Sequence, residues 1–283
     1  HFRVAVIGAG PAGIGVAVGM AKRGIGPVVL IERRPELGGT PMGYRKKPNG
    51  VPTFVEWTRG RMVFGEELAG RMVKRLAQTD TAIRLSTQVT KIYPAEKRLT
   101  LLGPEGVCDV TADAVVLAAG AREQTPAEKG WLAGARTSRV SFTRHVTGWL
   151  DRHGLLPARK PVVVGSDLIA YSAAAKLQAA GSDEPVMIDR RRSPAAGLFE
   201  RLFFRRWTCP DWSGGVTFAE INGDRAATGV QSSDGQEWLG DGVMVCGELV
   251  PNTELALLGG LAVELPSRQL QLVRGQELSQ PGW

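Results

Sequence analysis

The chain has 283 residues, of which 36 are glycine and 17 are proline, which fits one large or two ordinary α/β domains with many tight connections. No apolar stretch is long enough to span a bilayer and the three cysteines are far apart, so we expect a soluble, cytoplasmic protein in a reducing compartment. The formal net charge of +7 comes without any nucleic-acid motif, so nucleic acid is not expected as a partner.

A short apolar strand at residues 4–7 runs into a G-x-G-x-x-G turn, and a helix follows at residues 14–23. Gly8 permits the tight turn, Gly10 lets the backbone approach a pyrophosphate, and Gly13 lets the helix and the strand pack closely. The helix N-terminus adds amide donors and a partial positive charge. Such a turn can serve packing alone, but this order of elements predicts a bound dinucleotide.

A second apolar strand, at residues 27–32, ends in Glu32. The acid lies about twenty residues beyond the glycines, where a carboxylate can accept hydrogen bonds from ribose hydroxyls. Glu32 is therefore the predicted ribose ligand. Gly38 and Gly39 follow, and a glycine pair at this distance has no obvious role in an ordinary nicotinamide-binding domain.

A third apolar strand, at residues 114–119, ends in small residues and is followed by Gly120 and Arg122. Small residues at the end of a buried parallel strand let the backbone pass close to a bulky cofactor. Residues 114–122 thus fit a backbone that passes close to a cofactor.

A second strand, turn and helix is predicted at residues 161–180, with a further strand at residues 186–189. The middle glycine of this turn is replaced by Asp167, whose side chain obstructs a pyrophosphate and whose carboxylate repels it. Residues 190–192 are arginines, which can receive the 2′-phosphate of NADP but are also common on surface loops as solvated charge. A fold retained without its ligand and an NADP site both stay open.

The segment at residues 197–207 mixes aromatic side chains with arginines. On a helix, Leu198, Leu202 and Phe203 share a face with Phe199. One interpretation is a helix packed on its own domain. The other is a docking surface for another protein chain or for a membrane interface.

Taken in order, three motifs resemble those of the flavoproteins with two dinucleotide-binding domains, the pyridine nucleotide-disulfide oxidoreductase family in its broad sense. They are residues 8–13 with Glu32, the pair Gly38 and Gly39, and residues 114–122. The resemblance implies an α/β fold with two Rossmann-like domains, the second inserted into the first. Residues 1–122 plus 240–283 would bind FAD, and residues 123–239 would form the inserted NAD(P)-binding-like domain.

The same resemblance implies which residues hold FAD, whereas it leaves NAD(P)H open because Asp167 departs from the pattern. The predicted FAD ligands are Gly8, Gly10, Pro11, Ala12, Gly13, Glu32, Arg33, Gly38, Gly39, Thr40, Val89, Ala119, Gly120 and Arg122. Neither a catalytic residue nor a metal site is predicted. Candidates for holding a substrate are Thr40, Tyr44, Arg45, Lys46 and Lys47, although residues 46–50 also fit an exposed turn.

Within the family, the chain is most similar to the FAD subunits of amino-acid and amine dehydrogenases of the hydroxyproline or opine type. The similar stretches are residues 39–41, 119–123, 164–170 and 251–255. Residues 243–255 resemble the segment that re-enters the FAD domain, so the resemblance extends over nearly the whole chain.

Two absences limit the chemistry. The only cysteines are Cys108, Cys209 and Cys246, without a C-x-x-C, so a dithiol relay of the thioredoxin-reductase kind is not expected. Residues 279–283 resemble a turn that in the family leads into a further strand and helix beside the flavin. The FAD domain is therefore predicted to be truncated at its carboxyl end.

We predict an FAD-dependent oxidoreductase that moves electrons between a small organic donor, such as an amine or amino acid, and an acceptor. The flavin carries the redox chemistry, and the chain acts alone on a small-molecule substrate or as one subunit of a larger dehydrogenase. Two alternatives stay open. One is an NAD(P)H-dependent flavin reductase, and the other is a non-catalytic electron-transfer or scaffold subunit with an empty second nucleotide site.

Overall fold

A computed structural model describes residues 1–47, 50–56, 59–134, 137–264, 267–272, 275, 277–279 and 281–283. Pro48 and Asn49, part of the predicted turn at residues 46–50, lie outside the described residues. The chain divides into two compact units. The first unit comprises His1–Met42, Gly65–Arg122 and Val250–Trp283, and the second comprises Gly43–Phe64 and Glu123–Leu249.

The described residues form helices and strands throughout both units. The helices are α1 (Pro11–Lys22), α2 (Gly65–Leu76), α3 (Pro126–Lys129), α4 (Thr143–His153), α5 (Leu168–Ala179), α6 (Leu198–Phe204) and α7 (Glu254–Leu258), with a 3₁₀ turn at Thr40–Gly43. The strands are β1 (Phe2–Ile7), β2 (Val28–Ile31), β3 (Phe54–Glu56), β4 (Arg61–Val63), β5 (Ala82–Arg84), β6 (Gln88–Tyr93), β7 (Arg98–Gly103), β8 (Gly106–Leu117), β9 (Ala121–Glu123), β10 (Leu132–Gly134), β11 (Val140–Phe142), β12 (Pro161–Val164), β13 (Val186–Asp189), β14 (Asp211–Gly214), β15 (Ala219–Asn222), β16 (Gly229–Ser232), β17 (Glu237–Leu239), β18 (Gly242–Val245), β19 (Leu249–Pro251), β20 (Val263–Glu264) and β21 (Gln269–Leu270). None of these helices has both the length and the apolar character needed to cross a membrane.

The first unit is built on a six-stranded sheet in the order β5-β2-β1-β8-β7-β6. The strands β5, β2, β1 and β8 run parallel, and β8, β7 and β6 pair antiparallel. Alternate residues of β1 point to opposite faces, so Val4 and Val6 pack in a cluster with Ile14 of α1, whereas Ala5 and Ile7 lie in the cluster on the other side. Because both faces are covered, β1 is almost continuously apolar.

The second unit contains a five-stranded parallel sheet in the order β11-β18-β12-β13-β14 and a four-stranded sheet in the order β10-β15-β16-β17. The helix α5 packs on the parallel sheet through alanines and Leu177, which lie in one cluster with Val163 of β12. The predicted fold class is confirmed, because each unit has the parallel strand, turn and helix of a Rossmann-like domain and the second is inserted into the first.

The boundaries of the units differ from those expected from the motifs, since Gly43–Phe64 and residues 240–249 group with the second unit. Two packing arrangements explain this grouping. The strand β18 lies between β11 and β12 in the parallel sheet. Tyr44 packs edge-on against Phe54, and the Nζ atom of Lys176 in α5 lies 5.7 Å from the centre of the Tyr44 ring.

The helix α6 does not bury the face expected from its sequence. Leu198, Phe199 and Leu202 are 66%, 78% and 56% exposed, whereas Phe204 is fully buried. The ring of Phe204 packs 6.5 Å from that of Tyr171 in α5, so this contact selects the side of α6 that faces the core. The helix thus packs on its own unit through Phe203 and Phe204, whereas Leu198, Phe199 and Leu202 remain on its exposed side.

Candidate functional site

The first glycine turn brings β1 and α1 into contact at the carboxyl edge of the sheet. A Cβ atom at Gly13 would lie 1.9 Å from the carbonyl oxygen of Gly8, so only glycine fits there without movement of the backbone. Gly8 has a φ of +103°, and a Cβ atom on it would lie 2.4 Å from the carbonyl oxygen of Ala118. The Gly8 amide donates to the Ile31 oxygen at 2.8 Å, which ties the turn to β2.

The N-cap residue of α1 has no side chain in front of the first amides of the helix. Gly10 is the N-cap residue and provides no side-chain hydrogen bond, and a Cβ atom built on it would lie 3.9 Å from the Gly39 Cα atom. The amides of Ala12 and Gly13 lie in the first helical turn, so they have no hydrogen-bond acceptor within the helix. Pro11, the first residue of the helix, has no amide proton. An anion in this position would accept from these amides and meet the positive end of the helix dipole. The turn therefore fits the pyrophosphate of FAD.

Glu32 lies directly after β2 and is only 8% exposed. Its Oε2 atom accepts from the Ala9 amide at 2.8 Å, and its Oε1 atom accepts from the Arg34 amide at 3.0 Å. These two bonds hold the carboxylate beside the glycine turn. A carboxylate has about four acceptor positions, so two ribose hydroxyls can still donate to it.

Gly38 and Gly39 cover the other side of the turn. The Gly38 amide donates to the Ala9 oxygen at 2.9 Å, and a Cβ atom on Gly39 would lie 2.6 Å from the Gly10 Cα atom. Both glycines have positive φ angles, +103° and +63°. The glycine pair thus lets the chain pass directly against the turn. Thr40 follows as the exposed first residue of the 3₁₀ turn.

The chain after β8 is bonded to the carboxyl-terminal part of the first unit through Asn252. The Asn252 amide donates to the Gly120 oxygen and its Nδ2 atom donates to the Ala119 oxygen, both at 2.9 Å. Arg122 forms an ion pair with Glu254 at 3.5 Å. Sequence reasoning missed this role of Asn252, although the residue lies in the stretch 251–255 that carried the narrower resemblance.

The two remaining predicted ligands lie apart from these contacts. Arg33 is exposed at the residue after Glu32. Val89 is 8% exposed and packs its side chain into the core cluster that contains Leu99 and Leu101. The structure thus brings the glycine turn, Glu32 and the glycine pair into mutual contact, and the assignment of each residue to FAD stays a prediction.

In the second unit, titratable groups gather around Cys246, which follows β18. Glu123 accepts from the Gly247 amide at 3.3 Å, and burial raises the pKa of its carboxyl group. Cys246 is a free thiol with 1% exposure, and burial, followed by the charge of Glu123, raises its pKa. The same two causes raise the pKa of the Tyr44 hydroxyl. Sequence reasoning counted Tyr44 among the substrate candidates and missed Glu123, because the distant segments that bury it are not adjacent in sequence.

A buried ion pair joins α4 to α5 beside Tyr44. The Nζ atom of Lys176 lies 2.7 Å from Oδ2 of Asp151, and each side chain is 3% exposed. Burial raises the pKa of the Asp151 carboxyl group in spite of the lysine. Removing one member of such a pair leaves the other charge buried and unpaired, so the pair holds the two helices and the Tyr44 segment in one arrangement.

Comparison with known families gives a match over nearly the whole chain. The model of the family described as pyridine nucleotide-disulphide oxidoreductase matches residues 2–276.

Two curated relatives share part of their sequence with this chain, and both are described as the same subunit of opine oxidase. The protein of Rhizobium meliloti (strain 1021) is 32% identical over 185 residues, which are 65% of this chain and 38% of the relative. The protein of Agrobacterium tumefaciens (strain Ach5) is 28% identical over 206 residues, which are 71% of this chain and 39% of the relative. The chain therefore spans about two fifths of the length of these relatives.

Solved structures with the same fold include proteins of different named activities. Thioredoxin reductase of T. acidophilum is 20% identical with a TM-score of 0.74, over 99% of this chain and 88% of that protein. L-Proline dehydrogenase of P. horikoshii is 21% identical with a TM-score of 0.66, over 93% of this chain and 45% of that protein. At these levels of sequence identity, the structural similarity shows that the proteins share a fold.

Replacement of Gly13 by alanine is expected to lower the free energy of unfolding of the first unit by about 1–3 kcal/mol, because the added methyl group meets the Gly8 oxygen. Gly15 in the same helix is the matched control, since a Cβ atom there has no neighbour within 4 Å. Gly15→Ala is expected to be neutral or to stabilise by up to about 1 kcal/mol. Chemical denaturation of both variants tests this, and equal losses would contradict the packing argument.

The stability of the second unit is expected to fall as pH rises through the raised pKa of Glu123. The folded state holds this proton more tightly than the unfolded chain, so its contribution is complete below about pH 4.3 and is lost above the folded-state pKa. Glu123→Gln removes this contribution and keeps an acceptor for the Gly247 amide. Denaturation at several pH values should therefore show that the free energy of unfolding of the wild type and that of Glu123→Gln differ by an amount that changes with pH. A difference that stays constant with pH would refute this prediction.

Proposed function

Since the chain belongs to the pyridine nucleotide-disulphide oxidoreductase family, whose members are FAD-dependent oxidoreductases, we propose that it oxidises a small amine or amino acid. Membership of this family, predicted from the motifs, is confirmed. The observation that carries the proposed donor is the alignment with two relatives described as a subunit of opine oxidase. The identity of the donor within this class is not specified by any motif.

The first unit is the part of the chain that would hold FAD. The amides at the start of α1 would bind the pyrophosphate, Glu32 would bind the ribose, and Gly38 and Gly39 would let the backbone lie against the cofactor. FAD, when bound, supplies a two-electron acceptor for the oxidation.

Glu123 is the group of the second unit that best suits an amine substrate. Its partly buried carboxyl group has a raised pKa, so it takes up a proton more readily than an exposed glutamate does. An amine must lose its ammonium proton before the carbon beside it can be oxidised, and Glu123 is proposed as the acceptor of that proton. The Tyr44 hydroxyl stays protonated because its pKa is raised, and it is proposed as a hydrogen-bond donor to the substrate.

The arrangement of the cysteines does not favour a thiol relay. All three are free thiols, with Cys108 in the first unit and Cys209 and Cys246 in the second. Cys108 and Cys209 are exposed, whereas Cys246 is buried and has a raised pKa that keeps it protonated. A relay requires a reactive thiolate in contact with a second sulfur.

The donor is tested by anaerobic titration of the FAD-loaded full-length protein, with its partner subunits, followed by visible absorption. We expect the flavin to be bleached by at least one member of a panel of small amines and amino acids. Glu123→Gln should slow this bleaching by about 10²-fold or more and shift its pH dependence. Bleaching by NADPH together with inertness toward every amine would refute the proposed donor and support a flavin reductase.

A partner subunit is proposed to dock on the exposed face of α6, formed by Leu198, Phe199 and Leu202. These side chains are more than half exposed, and the exposed arginines Arg205 and Arg206 follow them. Apolar side chains beside arginine are typical of protein interfaces. Both curated relatives are described as one subunit of an oxidase, which supports an assembly with other chains.

Phe199→Asp is expected to weaken binding of the partner subunit by about tenfold or more, because it places a charge at the centre of this face. Leu239→Asp is the matched control in the same unit, since Leu239 is 72% exposed and lies on β17 rather than on α6. Co-purification with the partner subunit provides the measurement. Equal association of both variants would exclude α6 as the docking surface.

A further inference from the structure

The two glycine turns share one backbone design. The amides of Gly8 and Gly165 donate to the ends of the neighbouring strands, at Ile31 and Ile188, over 2.8 and 2.9 Å. A Cβ atom at Gly165 would lie 2.5 Å from the Cys246 oxygen. The matching distance in the first turn, from a Cβ atom at Gly8 to the Ala118 oxygen, is 2.4 Å. The second turn therefore has the shape that places a helix N-terminus at the edge of its sheet.

The resemblance extends to the segment that follows the second strand of each unit. The Ala196 amide donates to the Ser166 oxygen at 2.8 Å, as the Gly38 amide does to Ala9. Asp189 lies at the end of β13, as Glu32 does after β2, and its Oδ1 atom accepts from the Arg191 amide at 3.1 Å. The second unit thus retains the framework of a dinucleotide site.

The turns differ at the N-cap of the helix. Gly10 leaves the front of α1 open, whereas Asp167 caps α5 with its own side chain. The Oδ1 atom of Asp167 accepts from the Ala170 amide at 3.0 Å, and its Oδ2 atom accepts from the Glu248 amide at 3.2 Å. A carboxylate therefore already lies at the positive end of the helix dipole and uses one amide of the first helical turn that a phosphate would need.

The carboxylate is also enclosed on its far side. Gly247 has a φ of +74°, and a Cβ atom on it would lie 2.2 Å from Oδ2 of Asp167. The backbone after β18 thus packs directly against the carboxylate. With one bond to the helix and one to the Glu248 amide, the Asp167 side chain is held in front of the helix from two sides.

The charge of the cleft beside this turn opposes a dianion as well. Three carboxylates line it, from Asp167, Asp189 and Glu248, together with Lys129 and Arg191. The Nζ atom of Lys129 is bonded to Oε2 of Glu248 at 3.0 Å, so this cation is already neutralised. Arg191 is the second cation of the cleft, so the carboxylates still outnumber the cations and a pyrophosphate here would face an excess of negative charge at short range.

From these contacts we infer that the second unit does not bind NAD(P)H, because the carboxylate of Asp167 occupies the position of the pyrophosphate. The residues do not fit the pyridine nucleotide that the family implies, and the unit keeps the fold with an internal anion in place of the ligand. The exposed Arg190 and Arg192 then act as solvated charge, and Arg191 partly offsets the carboxylates of the cleft. This inference is independent of the proposed amine donor.

Titration calorimetry of the FAD-loaded protein with NADH and with NADPH tests it directly. We expect no saturable binding of either nucleotide by the wild-type protein up to about 1 mM. Asp167→Gly should bind at least about tenfold more tightly than the wild type, because the charge and the side chain are both removed. Asp167→Asn keeps a capping acceptor without the charge, so its affinity for the nucleotide should lie between that of the wild type and that of Asp167→Gly. Because heat of binding is measured, the outcome does not depend on whether an amine reduces the flavin.

Saturable binding by the wild type below about 1 mM would overturn the inference. A folded Asp167→Gly variant that gains no affinity would do the same. If that variant does not fold, the first unit provides the reciprocal pair, Gly10→Asp and Gly10→Asn, which differ in charge and not in size. Gly10→Asp should retain FAD at least about tenfold more weakly than Gly10→Asn, and equal retention would show that a carboxylate at this position does not exclude a pyrophosphate.

Discussion

The arrangement of the first unit depends on the missing side chain at Gly13. Without a Cβ atom at this position, α1 begins in contact with the carbonyl of Gly8, at the carboxyl edge of the sheet. The residue before the N-cap, Ala9, donates its amide to Glu32 and so holds that carboxylate beside the turn. Gly39 then closes against Gly10 from the opposite side. The amides proposed to bind phosphate and the carboxylate proposed to bind ribose are therefore fixed by packing within the chain.

The second unit shows that this scaffold and its ligand are separable. The hydrogen bonds that shape the turn recur at Gly165 and Ser166, yet the residue at the helix N-cap carries a carboxylate. Folding needs some acceptor for the first amides of the helix, and Asp167 provides one within the chain. A bound phosphate can meet the same need from outside. The residue at the N-cap of the helix thus decides whether a carboxylate of the chain itself lies in front of the first helical amides.

Features set by local sequence were predictable, and features set by distant contacts were not. The strands β1 and β12 follow from apolar runs that end in a glycine turn, and the helix α5 follows from the stretch after the second turn. The strand β2 follows from an apolar run that ends in Glu32, and Glu32 follows from its spacing to the first turn. The grouping of Gly43–Phe64 with the second unit depends on packing between Tyr44 and a helix more than 120 residues later. Asn252 and Glu123 were missed for the same reason, since their partners are remote in sequence. The side of α6 that is buried depends on Tyr171, which periodicity alone does not reveal.

The division of the first unit among three stretches of chain has a consequence for its synthesis. Leu278 and Trp283 belong to the same buried cluster as Ala5 and Ile7, and the Val115 amide donates to the Gly282 oxygen at 2.8 Å. The strands β1 and β2 are therefore made before the inserted stretch, and their core is complete only after residues 278–283 have been added. At a translation rate of about 5–20 residues per second, the stretch Glu123–Leu249 alone delays completion by on the order of ten seconds. During this interval the apolar face of the nascent sheet is exposed, which makes it a natural target for a chaperone on the ribosome.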